Sequence, residues 1–140
     1  MAFLGSLDIV GSALTAERFR MNIILQNIAN EKTTVTENGE PYRRKQVVFQ
    51  ERPLTFKDEL KKARGGVQVA AVVESDRDFN LVYDPSHPQA DENGYVRYSN
   101  VDTTEERIDL IAASNAYDAN LSALSVLKAT ISKTLQMGSK

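Results

Sequence analysis

Residues 3–28 read FLGSLDIVGSALTAERFRMNIILQNI, and this stretch sets the architecture of the chain. Its apolar residues recur at alternating steps of four and three, which is the spacing of the a and d positions of a coiled-coil helix. Glu17 interrupts this seam, and the stretch has too few charges for a solvated outer face. We therefore expect a helix that is buried nearly all round and ends near Asn30. The seam positions are Phe3, Leu7, Val10, Leu14, Glu17, Met21, Ile24 and Ile28.

A second seam with the same spacing lies between Asp102 and Met137, with two polar interruptions. At about 1.5 Å per residue this helix would be about 54 Å long, whereas a compact domain of this length has a radius of gyration of only about 14 Å. It would project beyond its own globule, so we expect heterologous contacts with neighbouring subunits to cover its faces. The seam positions are Leu110, Ser114, Tyr117, Leu121, Leu124, Lys128, Ile131 and Leu135.

The part of the chain between the helices has the composition of strands and turns. Residues 31–41 are polar and form a linker, with Asn38-Gly39 as a turn. Four short runs rich in β-branched and aromatic residues predict a small antiparallel sheet, and residues 55–66 predict one short capped helix. The strand candidates are Tyr42–Glu51, Val67–Glu74, Phe79–Tyr83 and Tyr95–Tyr98.

Together these elements predict an α+β fold in which long N- and C-terminal helices pack as a coiled coil beside a small central antiparallel β region. The expected division is an N-terminal axial helix at 1–30, a linker and β domain at 31–99, and a C-terminal axial helix at 100–140. Asp102 is the expected N-cap of the last helix, with Glu105 at the capping-box position.

Composition narrows the class of function. The chain has 140 residues and a formal net charge of −2, without the basic footprint of a nucleic-acid-binding protein, and we interpret Arg43–Lys45 as the solvated face of a strand. Cysteine is absent, so neither disulfides nor thiolate metal sites hold the fold. The N-terminus has no basic n-region and Asp8 interrupts its apolar stretch, so we expect neither a cleaved signal peptide nor a spanning helix.

Residues suited to catalysis or metal binding are few. His87 is the only histidine and shares a loop with Asp84 and Asp91, but a catalytic site needs converging partners. Asp91, Asn93 and Gly94 resemble a fragment of a calcium loop that lacks the distal glutamate. A turn is the favoured interpretation, and we expect no enzymatic activity, no cofactor and no metal.

Two segments resemble the terminal signatures of the bacterial flagellar axial protein family. Residues 12–22, SALTAERFRMN, and residues 26–30, QNIAN, match the pattern S-x-L-x-A-x-x-x-R-M/L followed by N-I/L-A-N. Residues 100–102, NVD, and 112–120, AASNAYDAN, match N-V-D followed by A-S-R-A-Y-x-A-N, with Asn115 where the family usually has arginine. Further similarity to the proximal-rod members of the family covers residues 41–49, 66–69 and 83–96.

The resemblance implies a structural subunit of the flagellar basal-body proximal rod, the drive shaft that carries torque from the motor to the hook. It implies export by the flagellar type III apparatus without a cleaved signal peptide, and a place in the periplasmic or cell-wall zone with no direct membrane span. The implied partners are further copies of the chain and the rod proteins FlgB, FlgF, FlgG and FliE.

Helical polymerisation through the terminal helices follows from the two seams together with the resemblance. The expected packing and assembly residues are Leu7, Val10, Leu14, Met21, Ile24, Ile28, Asn30, Tyr117, Asn120, Leu121, Leu124, Ile131 and Leu135.

Two other hypotheses stay open from the sequence. The chain could be an autonomous soluble binding module, in which an intramolecular helical hairpin clamps a β domain without any polymer. A hydrolase or metal site centred on His87 would require that His87→Ala abolish an activity. A stable monomer with two protected helices would favour the module, and concentration-dependent assembly would favour the rod.

Overall fold

A computed structural model of the chain describes residues 2–53 and 65–138. The predicted short helix falls almost entirely between these ranges and so lies outside the described residues. The α+β class is confirmed, because two long helices flank a region of short antiparallel strands. The elements in chain order are α1 (Ala2–Ala29), β1 (Lys45–Glu51), β2 (Val67–Glu74), β3 (Asn80–Tyr83), β4 (Tyr95–Tyr98) and α2 (Thr103–Gly138).

Polar side chains define the inner ends of both helices. At the end of α1 the Asn30 side-chain amide donates to the Gln26 carbonyl at 2.8 Å, which satisfies one of the orphan carbonyls of the last turn. At the start of α2 the Asp102 carboxylate accepts from the Thr104 N–H at 2.8 Å, as expected of an N-cap. The predicted capping-box partner is corrected, because the Glu105 carboxylate turns away and accepts from Arg77 at 2.6 Å.

The two helices pack antiparallel, and this is the most extensive contact between any two elements of the described chain. The direction follows from two contacts: Asn27 reaches Glu106 at 2.9 Å, and Arg20 reaches Asp109 at 3.9 Å. Because both helices rise equally per residue, the start of α1 falls opposite Ile131. The last two turns of α2 therefore extend past the end of its partner helix.

The strands form two separate antiparallel ribbons, which corrects the prediction of a single small sheet. β1 pairs with β2 from Lys45↔Glu74 to Glu51↔Val67, with a bulge between Val48 and Phe49. β3 pairs with β4 as a short hairpin. β1 begins at Lys45 and not at the predicted Tyr42, because Tyr42 is buried against the helices instead of joining the ladder.

The β1–β2 ribbon runs along α1. Its open end at Lys45 bonds to Asn27, and its far end at Val67 bonds to Ser12. The helix between these contacts is about 22 Å long, and a strand from Lys45 to the partner of Val67 spans about 20 Å. This match in length lets a single helix face hold both ends of the ribbon.

Few apolar residues of the described chain are fully buried, and they are spread over both helices, β4 and the segments that connect them. Val96 on β4 and Ala113 on α2 are completely covered, and Val101 and Ala16 nearly so. Within the part of the chain that the structure describes, neither helix combines the length and apolar character needed to cross a bilayer.

Two turns require positive φ, at Gly39 (φ 77°) and Gly94 (φ 80°). At Gly39 an added Cβ would meet nothing, whereas at Gly94 it would lie 2.9 Å from the ring of Tyr83 and 3.3 Å from Pro85. We expect Gly39→Ala to cost about 1 kcal/mol from backbone strain alone, and Gly94→Ala about 2 kcal/mol because Tyr83 must also move off Tyr95. Urea unfolding of the two variants measures this difference, and equal losses would contradict it.

Candidate assembly surface and buried polar junction

The predicted seam of α1 lies on a half-covered face. Ile24 is buried, and the other described seam positions are all of intermediate exposure. Glu17 keeps its place in this seam, where one carboxylate oxygen is buried with no hydrogen-bond partner and Arg20 lies 3.9 Å away. The half-buried members of the predicted packing set on α1 are Leu7, Val10, Leu14, Met21, Ile28 and Asn30.

The seam of α2 differs from the predicted one at every second position. Ser114 and Lys128 are exposed, Leu121 is 41% exposed and Leu135 is 69% exposed. On the covered face, Ser114, Leu121 and Lys128 are each replaced by the residue just before it in the sequence. Leu135 lies beyond the end of α1. The more covered positions are Glu106, Leu110, Ala113, Tyr117, Asn120, Leu124, Leu127 and Ile131.

This shift removes the two polar interruptions from the α2 seam. The sequence pattern favoured leucine at 121 over asparagine at 120, but the Asn120 amide bonds to its own helix at Ala116 (2.9 Å) and can lie on the covered side. Leu121 and Leu135 are exposed in the monomer. Their part in assembly stays a prediction, as do the assembly roles of the other residues in the set.

The side of α2 opposite the seam is apolar and exposed. Ile108 and Val126 are 64% and 65% exposed, and at 100° per residue they point in about the same direction, roughly opposite Glu106. Met137 continues this outer face and is also exposed. Between these residues the outer face carries mainly alanine, serine and asparagine, so the described monomer leaves a long, weakly charged helix surface in water.

A buried charged cluster joins α2 to the linker ahead of β1. Glu106 is completely buried, and one of its oxygens accepts from the Arg44 Nε at 2.5 Å. The Arg44 guanidinium, itself 3% exposed, also donates to Asp109 at 2.9 Å and lies 3.3 Å from Glu105. A buried carboxylate needs such a partner, because desolvating an unpaired charge costs several kcal/mol. The interpretation of Arg44 as part of a solvated strand face is wrong.

Asn27 completes this cluster from α1 by using both ends of its side-chain amide. Its nitrogen donates to the second oxygen of Glu106 and to the Lys45 carbonyl at 2.8 Å. Its oxygen accepts from the Tyr42 hydroxyl and from the Lys45 N–H, both at 2.9 Å. The first asparagine of the N-I-A-N motif thus links α1, α2 and the start of β1.

Asn100, in the N-V-D segment, also links separate segments of the chain through both ends of its side-chain amide. Its side-chain oxygen accepts from the Arg44 N–H at 2.7 Å, and its nitrogen donates to the carbonyls of Ser75 and Arg77. The residue is buried. It therefore fixes the linker and the segment after β2 against the start of α2.

Tyr42 belongs to the same buried cluster, here called the junction, and is largely shielded from water. Burial, with smaller contributions from the carboxylates of Glu106 and Glu74, raises the pKa of the Tyr42 hydroxyl to about 12. The phenol stays protonated at any physiological pH, so it acts only as a hydrogen-bond donor to Asn27. Tyr42 therefore helps to orient the chain segments that meet here.

The loop around His87 is a set of turns. The Asp84 carboxylate accepts from the N–H and hydroxyl of Ser86, and these bonds lower the pKa of Asp84. The His87 ring accepts from the Gln89 N–H at 3.2 Å, while Asp91 accepts from two later N–H groups of its own loop. Across residues 2–53 and 65–138, no three His, Cys, Asp or Glu side chains are grouped as a metal site would need.

Comparison with known proteins connects this architecture to one family. Residues 92–137 match the family model described as flagellar basal body rod FlgEFG protein C-terminal. The chain is 44% identical over 138 residues to the flagellar basal-body rod protein FlgC of Salmonella typhimurium and 41% identical over 149 residues to that of Bacillus subtilis, and each alignment covers 99% of both proteins. The chain belongs to the FlgC family of flagellar basal-body rod proteins. It is a structural component of the flagellar basal body and not an enzyme.

In this member of the FlgC family, the two signature asparagines lie at the buried junction. Asn27 and Asn100 stand in the two terminal motifs, and Tyr42 and Arg44 in the segment 41–49 that also resembles the family, but Glu106 stands in none of these. The signal that could have found Glu106 is its place in the helix: it falls one α-helical turn before Leu110, in step with the seam. A charged residue at a seam position predicts a buried partner.

We expect Glu106→Gln to destabilise the chain by about 3 kcal/mol, because a neutral amide cannot accept from both Arg44 and Asn27 and leaves a buried donor unpaired. Glu105→Gln is the matched control: it is the neighbouring glutamate and also contacts Arg44, but its side chain is 37% exposed. It should cost less than about 1 kcal/mol. Urea unfolding checks both values, and a similar loss in the two variants would show that burial at Glu106 does not matter.

The N-cap of α2 should make the stability of the fold depend on pH in the acidic range. Hydrogen bonds from the N–H groups of Thr104 and Glu105 hold the pKa of Asp102 below its usual 3.8. A lowered pKa in the folded state stabilises the fold above the unfolded pKa, and that contribution is lost as the pH falls through the folded value. Asp102→Asn keeps a capping oxygen but cannot titrate, so its urea midpoint should fall less between about pH 5 and pH 3 than that of the parent chain.

Asp118→Asn, an exposed change of the same charge on the same helix, is the control for this pH series. It should follow the parent chain. If Asp102→Asn loses stability in acid as steeply as Asp118→Asn, the cap carries none of the acid sensitivity.

Proposed function

We propose that this chain builds the proximal rod by polymerising helically through α1 and α2, and that the resulting shaft transmits torque. The observation that carries the proposal is the exposed apolar outer face of α2, marked by Ile108, Val126 and Met137. These large apolar side chains are exposed in the monomer and point in about the same direction, so a neighbouring subunit could cover them together.

The geometry of the exposed faces supports an open assembly. α1 leaves Phe19 and Leu25 40% and 50% exposed, and α2 leaves its outer face exposed. Two different surfaces on one subunit allow head-to-tail contacts, and head-to-tail contacts that do not close on themselves generate a helix. Leu135, which lies beyond the end of α1, is placed to meet a neighbouring helix.

The buried junction supports the mechanical part of the proposal. A shaft must carry a sideways load without its subunits changing shape, and closely packed interiors have low compressibility. Arg44, Asn27 and Glu106 tie the two helices to the linker and β1 through directional hydrogen bonds. A load applied to the helices would thus be transmitted to the β region through these bonds, without bending at a flexible connection.

The remaining parts of the proposal rest on family membership. We infer that neighbouring subunits include further copies of the chain and the rod proteins FlgB, FlgF, FlgG and FliE. We also infer that the subunit reaches the periplasmic or cell-wall zone through the flagellar type III export apparatus. Cryo-electron microscopy of purified basal bodies tests the placement, because a subunit of the proximal rod must appear as a helical array at its membrane-proximal end.

Charged substitutions on the outer face of α2 test polymerisation itself. Ile108→Glu and Val126→Glu should leave monomer stability within about 0.5 kcal/mol, because both side chains already face water. If neighbours cover these positions, a buried carboxylate there should lower incorporation into basal bodies by at least about tenfold and abolish swimming. Incorporation is measured by quantifying the chain in purified basal bodies.

Arg107→Glu is the control, because it alters charge at an exposed position of the same helix that is already solvated. It should assemble at close to the parent level. Normal incorporation of both Glu variants would contradict polymerisation through this face. If the parent chain were also a stable monomer that does not associate with other rod proteins, the binding-module hypothesis would take its place.

A further inference from the structure

The β1–β2 ribbon is attached to α1 by one buried polar side chain at each end, with an exposed Arg52–Asp8 ion pair at 3.1 Å beside the far one. At the far end, the Ser12 hydroxyl accepts from the Val67 N–H at 3.0 Å while it donates to the Ile9 carbonyl at 2.7 Å. At the near end, Asn27 pairs with both the N–H and the carbonyl of Lys45, as a neighbouring strand would. Ser12 and Asn27 are both buried.

The middle of the ribbon is much less firmly held. Residues 70–74 of β2 are exposed, and grooves of about 410 and 450 Å³ lie between the ribbon and the helices. The apolar contacts between the two ends are therefore incomplete. Release of either polar end would leave little to keep the ribbon on the helix.

Gly66 shows that the far end is a close-fitted contact. A Cβ added at Gly66 would lie 2.6 Å from the Ser12 hydroxyl oxygen and 3.3 Å from the Ser12 Cβ. The Arg52 N–H donates to the Gly66 carbonyl at 2.6 Å, so this glycine also closes the ribbon's own ladder. The helix and the ribbon thus meet at backbone distance, with room for one hydroxyl between them.

A second set of bonds fixes the segment between β4 and α2. Asn100 joins Arg44 to the carbonyls of Ser75 and Arg77, and Asn80 on β3 donates to the Ser99 carbonyl at 2.9 Å. These bonds use no residue of α1. The two sets meet at Arg44, whose N–H donates to Asn100 and whose side chain shares Glu106 with Asn27.

We propose that α1 and the β1–β2 ribbon form one cooperative unit, which opens and closes separately from the β3–β4 hairpin. The two clamps at Ser12 and Asn27 make the order of the helix and the order of the ribbon interdependent. A partner that binds α1 would then also order the ribbon, and a partner on the ribbon would strengthen α1 by the same free energy. This coupling does not depend on how the rod polymerises.

Hydrogen exchange on the full-length monomer at low micromolar concentration tests the proposal with Ser12→Ala. Loss of one buried hydrogen bond should speed exchange about fivefold to tenfold, both in residues 67–69 and in residues 9–16 of α1. Residues 95–98 of β4 should stay within about twofold of the parent chain, because among the described elements β4 packs only on β3. Thr15→Ala is the control, because its hydroxyl bonds only to its own helix at Gly11 and should change neither region.

Three other results would overturn the proposal. Faster exchange in the ribbon alone would mean that helix and ribbon open independently. An equal change in all regions would mean that the chain opens only as a whole, and no change in the Ser12→Ala variant would mean that Ser12 is not a clamp.

A double-mutant cycle gives a second, independent test of the contact. Gly66→Ala should push the ribbon off α1, because its methyl group collides with the Ser12 hydroxyl, and should speed exchange in the same two regions. In Ser12→Ala/Gly66→Ala the hydroxyl is gone and the two methyl groups can sit at ordinary contact with a small adjustment. The combined change in exchange rate should therefore be at least about threefold smaller than the product of the single changes. Simple multiplication of the two effects would contradict direct contact between the clamp and the ribbon.

Discussion

The fold depends on supplying close partners to one buried negative charge, that of Glu106. A buried carboxylate is tolerated only when its partners satisfy it closely, since the desolvation penalty is large. Arg44 supplies the opposite charge and Asn27 supplies a neutral donor. Because these two residues come from different segments, the chain must bring α1, α2 and the linker ahead of β1 to one point. The relative placement of the helices and the ribbons follows from that requirement.

This constraint also explains where the apolar residues lie. Buried residues of the described chain are polar about as often as they are apolar, and several of the apolar ones are small, such as Ala16 and Ala113. Larger aliphatic side chains, including Ile108 and Val126, stay in water. The interior therefore gains its specificity from directional bonds, while much of the non-directional hydrophobic energy is left for contacts outside the subunit.

The sequence predicts well where each helix and strand lies along the chain, but not how these elements pack against one another. Periodicity located both helices within two residues, and β-branched runs located all four strands, because these signals are local. Whether the strands form one sheet or two, and whether position 120 or 121 of α2 faces α1, depend on which elements approach each other. Arg44 was misplaced for the same reason: a basic run predicts solvent, and only the distant Glu106 makes burial possible. Asn27 and Asn100 could be located in motifs but not assigned partners.

Polar and apolar contacts have different roles in fixing how the two helices pack. Helices held by apolar seams alone can shift along one another, because leucine and alanine contacts are similar in neighbouring registers. The Asn27 amide fits only one register: a shift by one turn would leave Glu106, Tyr42 and the Lys45 backbone without their partners. Each such group would cost roughly 1–3 kcal/mol. The junction therefore holds α1 and α2 in a single alignment, and that alignment in turn fixes the outer face that α2 presents to its surroundings.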